Sequence, residues 1–128
     1  GSIDMNANDI TDLRKATFGT VQSASATASA VTVLFNTYQK FEVNLNDEAT
    51  VVITINTPSA PGNYMLYVIQ GSTTPSSTIT LATQGAEDIY APGGSIDLTG
   101  IADDRFIVGG YWDGSNWYMS ASNAMTVL

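Results

Sequence analysis

Arg105–Ser120, RFIVGGYWDGSNWYMS, is the stretch whose reading decides the fold. Asp113–Asn116 has turn composition and separates two runs rich in β-branched and aromatic residues, so the segment reads as two strands folded back on each other. With Gly114 and Ser115 at the centre of the turn, Trp112 lies opposite Trp117 and Tyr111 opposite Tyr118. With Asp113 and Gly114 there instead, the pairing slides by two and every side chain keeps its face. One face then carries Phe106, Val108, Trp112, Trp117 and Met119, apolar enough for a core. The other carries Ile107, Gly109, Tyr111, Tyr118 and Ser120, a smaller amphipathic surface.

Upstream, further short strands are expected at regular spacing. Val31–Phe35 is followed by Lys40–Leu45, where Phe41, Val43 and Leu45 alternate with Glu42 and Asn44, and by Thr50–Asn56, with Val51, Ile53 and Ile55 inward. Tyr64–Gln70 is apolar on both parities, as a strand covered on both sides would be. Its outward set is either Met65, Tyr67 and Ile69 or Tyr64, Leu66 and Val68. Thr78–Thr83, Glu87–Tyr90, Ser95–Leu98 and Ala124–Leu128 complete the set. No internal repeat is visible. Many short strands with Gly, Pro and Asn turns imply an all-β fold, and the expectation is an antiparallel β-sandwich of jelly-roll type.

Asp9–Phe18 is the one helical stretch. Asn8 or Asp9 can cap it, acidic residues lie near its start, and Arg14 and Lys15 near its end. Ile10, Leu13 and Thr17 give it a short apolar stripe, and so short a helix must dock on something to persist. Ile10, Leu13 and Phe18 are the candidate attachment residues. Thr20–Ala30 follows, alternating Ser or Thr with Ala from Ser23 onward, and reads as a flexible linker or an extended arm. The inward parity changes at Val31, which places a bulge or boundary near Ala30. Residues 5–30 are therefore expected to attach or oligomerise, and residues 31–128 to form the sandwich. Gly1–Ser2 has the look of a cloning remnant, with Met5 a native start.

The 128-residue chain carries a net charge of −8, with Arg14, Lys15, Lys40 and Arg105 its only cations. Nucleic-acid binding rests on neutralising phosphates, so that role is disfavoured, as is an anionic membrane surface. No apolar run is long enough to insert in a bilayer. Histidine and cysteine are absent, which removes Ser-His and Cys-His nucleophiles, the usual zinc ligand sets and thiol redox chemistry. No catalytic residue, metal ligand or cofactor is assigned. Three adjacent carboxylate pairs remain: Asp47-Glu48, Glu87-Asp88 and Asp103-Asp104. They are read as solvated turn residues, with a calcium site at Asp103, Asp104 and Asp113 or a glycosidase pair as the competing ideas. Trp112 and Trp117 are read as core plugs with their indole N–H groups satisfied nearby. Tyr111 and Tyr118, beside the bare backbone of Gly109, and Tyr67 are candidates for a subunit contact or a glycan platform.

The order of these elements resembles a known group. Phe41–Leu45 and Val51–Ile55 precede Tyr64–Gly71, and a later strand leads into Tyr111-Trp112-Asp113-Gly114-Ser115-Asn116-Trp117-Tyr118. This is similar to the small β-domains of virion accessory proteins of tailed bacteriophages: capsid decoration proteins and head-fibre or tail-fibre modules. The resemblance covers roughly residues 31–120. It implies a non-enzymatic structural protein at the virion surface, assembled in the host cytoplasm, decorating the capsid or forming a short trimeric fibre. Its partners would be its own copies, as a homotrimer, and a capsid or tail protein of the particle. The alternative is a carbohydrate-binding module or the receptor-binding tip of a tail fibre, with a surface glycan as ligand. No family binding residue maps onto a position of this chain.

Overall fold

A computed structural model describes residues 21–128. The expected helix Asp9–Phe18 and the attachment residues Ile10, Leu13 and Phe18 lie outside the described residues. The remainder winds as a β-solenoid of about four turns. Each of the first three coils gives one strand to each of two sheets: β1 (Gln22–Ser25) and β2 (Ala30–Val33), then β3 (Lys40–Asn44) and β4 (Thr50–Ile55), then β5 (Gly62–Ile69) and β6 (Thr78–Thr83). β7 (Ile89–Tyr90) begins the next coil, and a 3-10 turn, Pro92–Gly94, follows it. The chain closes with the hairpin β8 (Arg105–Trp112) and β9 (Trp117–Ala121).

Sheet A runs β1-β3-β5-β8-β9-β7, and sheet B runs β2-β4-β6. β1, β3 and β5 are parallel, as are β2, β4 and β6, whereas β8 runs antiparallel to both β5 and β9. The antiparallel jelly-roll sandwich expected from the sequence is thus corrected to a largely parallel coil. The reason is physical. Short alternating strands with turn residues every few positions satisfy either architecture, because each has two apolar inner faces and two outer ones. What differs is whether a strand's neighbour is the next strand in sequence or the one after, and alternation carries no information on that. The coils are also unequal, since Gln22 pairs with Phe41, 19 positions on, but Phe41 with Leu66, 25 positions on. An uneven period hides the repeat.

The Ser/Thr–Ala tract is part of the first coil. Ala24 and Ala26 face inward beneath Val43 and Leu45, the small side chains fitting the narrow end of the core. The parity change near Ala30 is made by a tight turn in which Thr27 and Ala30 exchange backbone hydrogen bonds of 3.0 and 3.2 Å. Its central residues, Ala28 and Ser29, have φ of 51° and 64°. Asn46 and Asp47 repeat the device in the second coil with φ of 53° and 60°, and Asn46 Nδ2 donates to the Ala26 carbonyl beneath it at 3.2 Å. Asn and Asp tolerate the left-handed region better than most residues, which is why this corner can be built without glycine.

Inside, like residues stack along the coil axis. Phe41, Leu66 and Val108 form one column, Val43, Val68 and Phe106 a second, and Val31, Ile53 and Leu81 a third. Most of these are essentially solvent-free, and each large apolar side chain so buried stabilises the fold by about 1.5–3 kcal/mol. At the hairpin end Trp117 packs on Trp112, Phe35 and Tyr64 with ring centroids 5.4, 5.6 and 5.4 Å away. The two Trp residues are core plugs as the pattern requires, but the Trp117 indole N–H finds no acceptor among the described residues. The indole partner expected from the sequence is therefore not found.

Two polar knots fix the opposite end. Buried Gln70 donates to the Leu98 carbonyl at 2.8 Å and accepts from the Ser76 N–H at 2.7 Å. Buried Asp104 accepts from the Ile101 N–H at 2.9 Å and from the Thr126 hydroxyl at 2.5 Å. Both knots lie where the irregular segment 91–104 crosses the inner side of β8 and β9, taking the place that further strands of sheet B would occupy. The buried polar side chains there, Gln70, Ser76 and Asp104, all have partners.

Candidate functional site

The outer face of sheet A gathers five exposed large apolar or aromatic side chains on one surface. Strand register sets its residues in rows across the sheet. Asn63, Tyr111, Tyr118 and Tyr90 form one row, and Lys40, Met65, Gly109 and Ser120 the next. Glu42, Tyr67 and Ile107 form a third, then Asn44, Ile69 and Arg105. The outward parity of β5 is therefore Met65, Tyr67 and Ile69. Met65, Ile107, Tyr111, Tyr118 and Tyr90 are each 40–51% exposed, so this face is not covered by the chain's own described residues.

Three of these tyrosines make a ladder. Tyr90 and Tyr118 stack with centroids 5.2 Å apart and planes 15° from parallel, and Tyr111 continues the row at 6.4 Å and 36°. The 5.2 Å step is close to the spacing of neighbouring strands, so the stack runs along the hydrogen-bonding direction of the sheet. The rings turn their faces to one another and present edges and hydroxyls outward. The face of Tyr90 turned away from Tyr118 lies at the sheet edge, open to an external ring. A shallow hollow of about 360 Å³ lies beside it, lined by Tyr90, Ala91, Pro92, Tyr118, Met119 and Ser120.

Of the residues singled out in the sequence, Tyr111 and Tyr118 are cross-strand partners, in the first of the two registers considered for the hairpin. Tyr67 shares their face but stands apart from the ladder, beyond the row of Met65 and Gly109, and its hydroxyl accepts from Arg105 Nη1 at 3.2 Å. Tyr90 and Met65 are not among the candidate contact residues of the sequence reading. Tyr90 belongs to a strand visible in the sequence, but its place next to Tyr118 follows from the parallel pairing of β7 with β9, which no local pattern announces. Gly109 leaves a dip in the face, since a Cβ there would meet nothing within 4 Å.

Charge on this face differs from the rest of the molecule. Lys40 and Arg105 are the only cations among residues 21–128, and both stand in these rows, opposed by Glu42 alone. Of the other carboxylates, Asp47, Glu87, Asp97, Asp104 and Asp113 accept from backbone N–H groups. Asp113 Oδ1 accepts from the Ser115 and Asn116 N–H groups at 2.7 and 2.8 Å, which lowers its pKa below the usual carboxylate range. That carboxylate in turn pushes the Tyr118 phenol upward, through a side-chain hydrogen bond first and its charge second. Asp47 Oδ1 accepts from the Thr74 and Thr73 N–H groups at 2.8 and 2.7 Å, again lowering its pKa. Glu87 is lowered chiefly by the hydroxyl of Thr57.

The carboxylate constellations considered from the sequence do not assemble. Asp104 and Asp113 lie at opposite ends of β8, whose eight residues span roughly 27 Å. No group of three or more potential metal-ligating side chains occurs among the described residues. Among them, too, no helix is long and apolar enough to cross a membrane. Comparison with known protein families, with curated proteins and with solved structures gives no match to this chain.

Proposed function

We propose that this chain is a non-enzymatic structural module that assembles with copies of itself through the outer face of sheet A. Its setting in this reading is a phage or phage-like particle, as a capsid decoration or a short trimeric fibre. The observation that carries it is the contiguous exposed strip of Met65, Ile107, Tyr111, Tyr118 and Tyr90 on a rigid sheet. Monomeric proteins rarely leave such a strip open. Tyrosine and methionine are enriched in interface cores, and charged residues are depleted there. The net charge of −8 opposes self-association in general. This face is where that opposition is weakest, because it holds both described cations. Sedimentation equilibrium tests the reading: the protein is expected as a trimer, with Tyr111→Arg monomeric at unchanged thermal stability. A monomer at every concentration would overturn it.

A second reading has one feature in its favour, the free ring face of Tyr90 beside the hollow at the sheet edge. A pyranose could stack there, with Ser120 at hydrogen-bonding range of its hydroxyls. Glycan-array binding that is lost in Tyr90→Ala, with the oligomer mass unchanged, would favour this carbohydrate-binding role over assembly.

A further inference from the structure

β7 stops too early to cover its neighbour. It pairs with β9 only at Trp117 and Tyr118, whereas β9 runs on to Ala121. Two features turn the chain out of the sheet after Tyr90. Pro92 has no N–H to give a ladder, and Gly93 and Gly94 follow it with φ of 66° and 77°. Ser95, Ile96 and Asp97 then stand across a gap from residues 120–123.

The gap is a trough in two parts. The hollow of about 360 Å³ beside Tyr90 is the first, and a second of about 210 Å³ adjoins it, the two sharing Pro92 and Ser120. Together they reach the size of small-molecule sites, which run from about 300 Å³ upward. Their linings differ. The first is formed by Tyr90, Tyr118, Pro92 and the main chain of Met119, whose side chain is buried. The second is walled by the exposed hydroxyl, carboxylate and amide groups of Ser95, Asp97, Ser120 and Asn123.

These polar groups have capacity to spare. Asp97 Oδ1 accepts from the N–H and the hydroxyl of Thr99, at 2.9 and 2.6 Å, which leaves the second carboxylate oxygen as an acceptor. Ser122 Oγ accepts from the Ile107 N–H at 3.0 Å and keeps its own hydrogen for donation. The backbone adds to them. Ser122 donates its N–H to the Ile107 carbonyl, so the even positions of β9 serve β8. Ala121 turns its N–H and C=O to the other side, where past Tyr118 no strand among the described residues pairs with β9.

We propose that this trough binds a non-acidic saccharide of at least two rings, one stacked on Tyr90 and the next hydrogen-bonded in the polar hollow. The proposal rests on the second reading above, in which Tyr90 takes a pyranose, and adds the size and charge of the ligand. A sugar has an apolar ring face and a rim of hydroxyls that both donate and accept. The trough offers an aromatic ring first, then donors and acceptors together. Charge selects against acidic sugars, because the charged side chain in the lining is Asp97, and neither Lys40 nor Arg105 belongs to it. A peptide strand would find too short an edge, since β9 ends at Ala121.

The test is a titration of the isotope-labelled full chain with two sets of sugars. One is the methyl glycosides of glucose, galactose, mannose and N-acetylglucosamine. The other is maltose, cellobiose, lactose, mannobiose and chitobiose. Amide shifts at residues 90–97 and 118–123 are expected for at least one disaccharide, bound about tenfold more tightly than its methyl glycoside. Tyr90→Ala should abolish binding of both. Ser95→Ala with Asn123→Ala, two exposed positions, should bring the disaccharide down to the affinity of the methyl glycoside and leave the latter unchanged. Oxidising the disaccharide's primary alcohols to carboxylates should weaken it further.

Equal affinities for one and two rings, a two-ring advantage that survives the double substitution, or tighter binding of the acidic form would overturn the proposal and leave the Tyr90 reading standing. Shifts confined to residues outside the trough, or none with any sugar at about 10 mM, would overturn both.

Discussion

Sheets A and B begin alike and end differently. In the first three coils each contributes parallel strands with alternating inner residues, and the inner residues of β3, β4 and β5 such as Val43, Ile53 and Val68 are dry. Past that point sheet A reverses direction, buries two Trp residues beneath a hairpin and presents a tyrosine ladder outside. Sheet B simply stops, leaving Ile79 and Leu81 half-covered. A parallel coil has no intrinsic end, because every strand offers the next one a bonding edge. An antiparallel hairpin is one way to finish it, and here it finishes one sheet of the two.

The largest expected effect is on the finished side. Trp117→Ala removes the ring on which Phe35, Tyr64 and Trp112 converge, and should cost about 3–5 kcal/mol in urea unfolding. On sheet B, Ile53→Ala in the sealed column should cost about 2–4 kcal/mol, and Leu81→Ala above it in the same column about half as much. Equal losses at the two positions would mean that the β6 end is as closed as the rest. Gly71 sharpens the comparison at the corner between the sheets. A Cβ there would lie 2.5 Å from the Thr74 carbonyl and 2.6 Å from the Asp47 N–H, so Gly71→Ala should destabilise by about 1–3 kcal/mol.

The smallest effect concerns the capped turns. Asp47 and Asp113 have pKa values lowered below 3.8 in the folded chain by backbone N–H donors. A carboxylate with a depressed folded pKa contributes stability above its unfolded pKa, and that contribution is lost as pH falls through the folded value. The melting temperature should therefore drop on acidification below about pH 4. Asn at either position keeps the acceptor oxygen without the titration, so Asp113→Asn should flatten the drop. A drop of unchanged size in the double Asn variant would assign it to other groups.

How much of this was legible in the sequence depended on distance along the chain. The faces of the hairpin were readable to the side chain, because strand periodicity fixes them, while its cross-strand pairs were narrowed to two registers, of which the structure has Trp112 opposite Trp117. Strand positions from Val31 to Thr83 were readable for the same reason, whereas β1 lies in the tract read as a linker or arm. The parallel stacking was not. Gln22 against Phe41 and Phe41 against Leu66 are pairings whose separations differ from coil to coil, and nothing in SASAT or FEVNL says which neighbour each will take. The site followed the same divide. Tyr111 opposite Tyr118 came from the hairpin, whereas Tyr90 entered the ladder only through a parallel pairing. The paired left-handed corners at Ala28-Ser29 and Asn46-Asp47 were hidden by chemistry, since neither carries the glycine that usually marks such a turn.

Amide hydrogen exchange across β6 tests the unequal ending of the two sheets most directly. Slow exchange at Thr80 and Ala82, which bond to β4, with fast exchange at Ile79 and Leu81 between them, is the expected result for the isolated protein. Uniform slow exchange across residues 78–83, matching that of β8, would show that sheet B is closed after all and would contradict it.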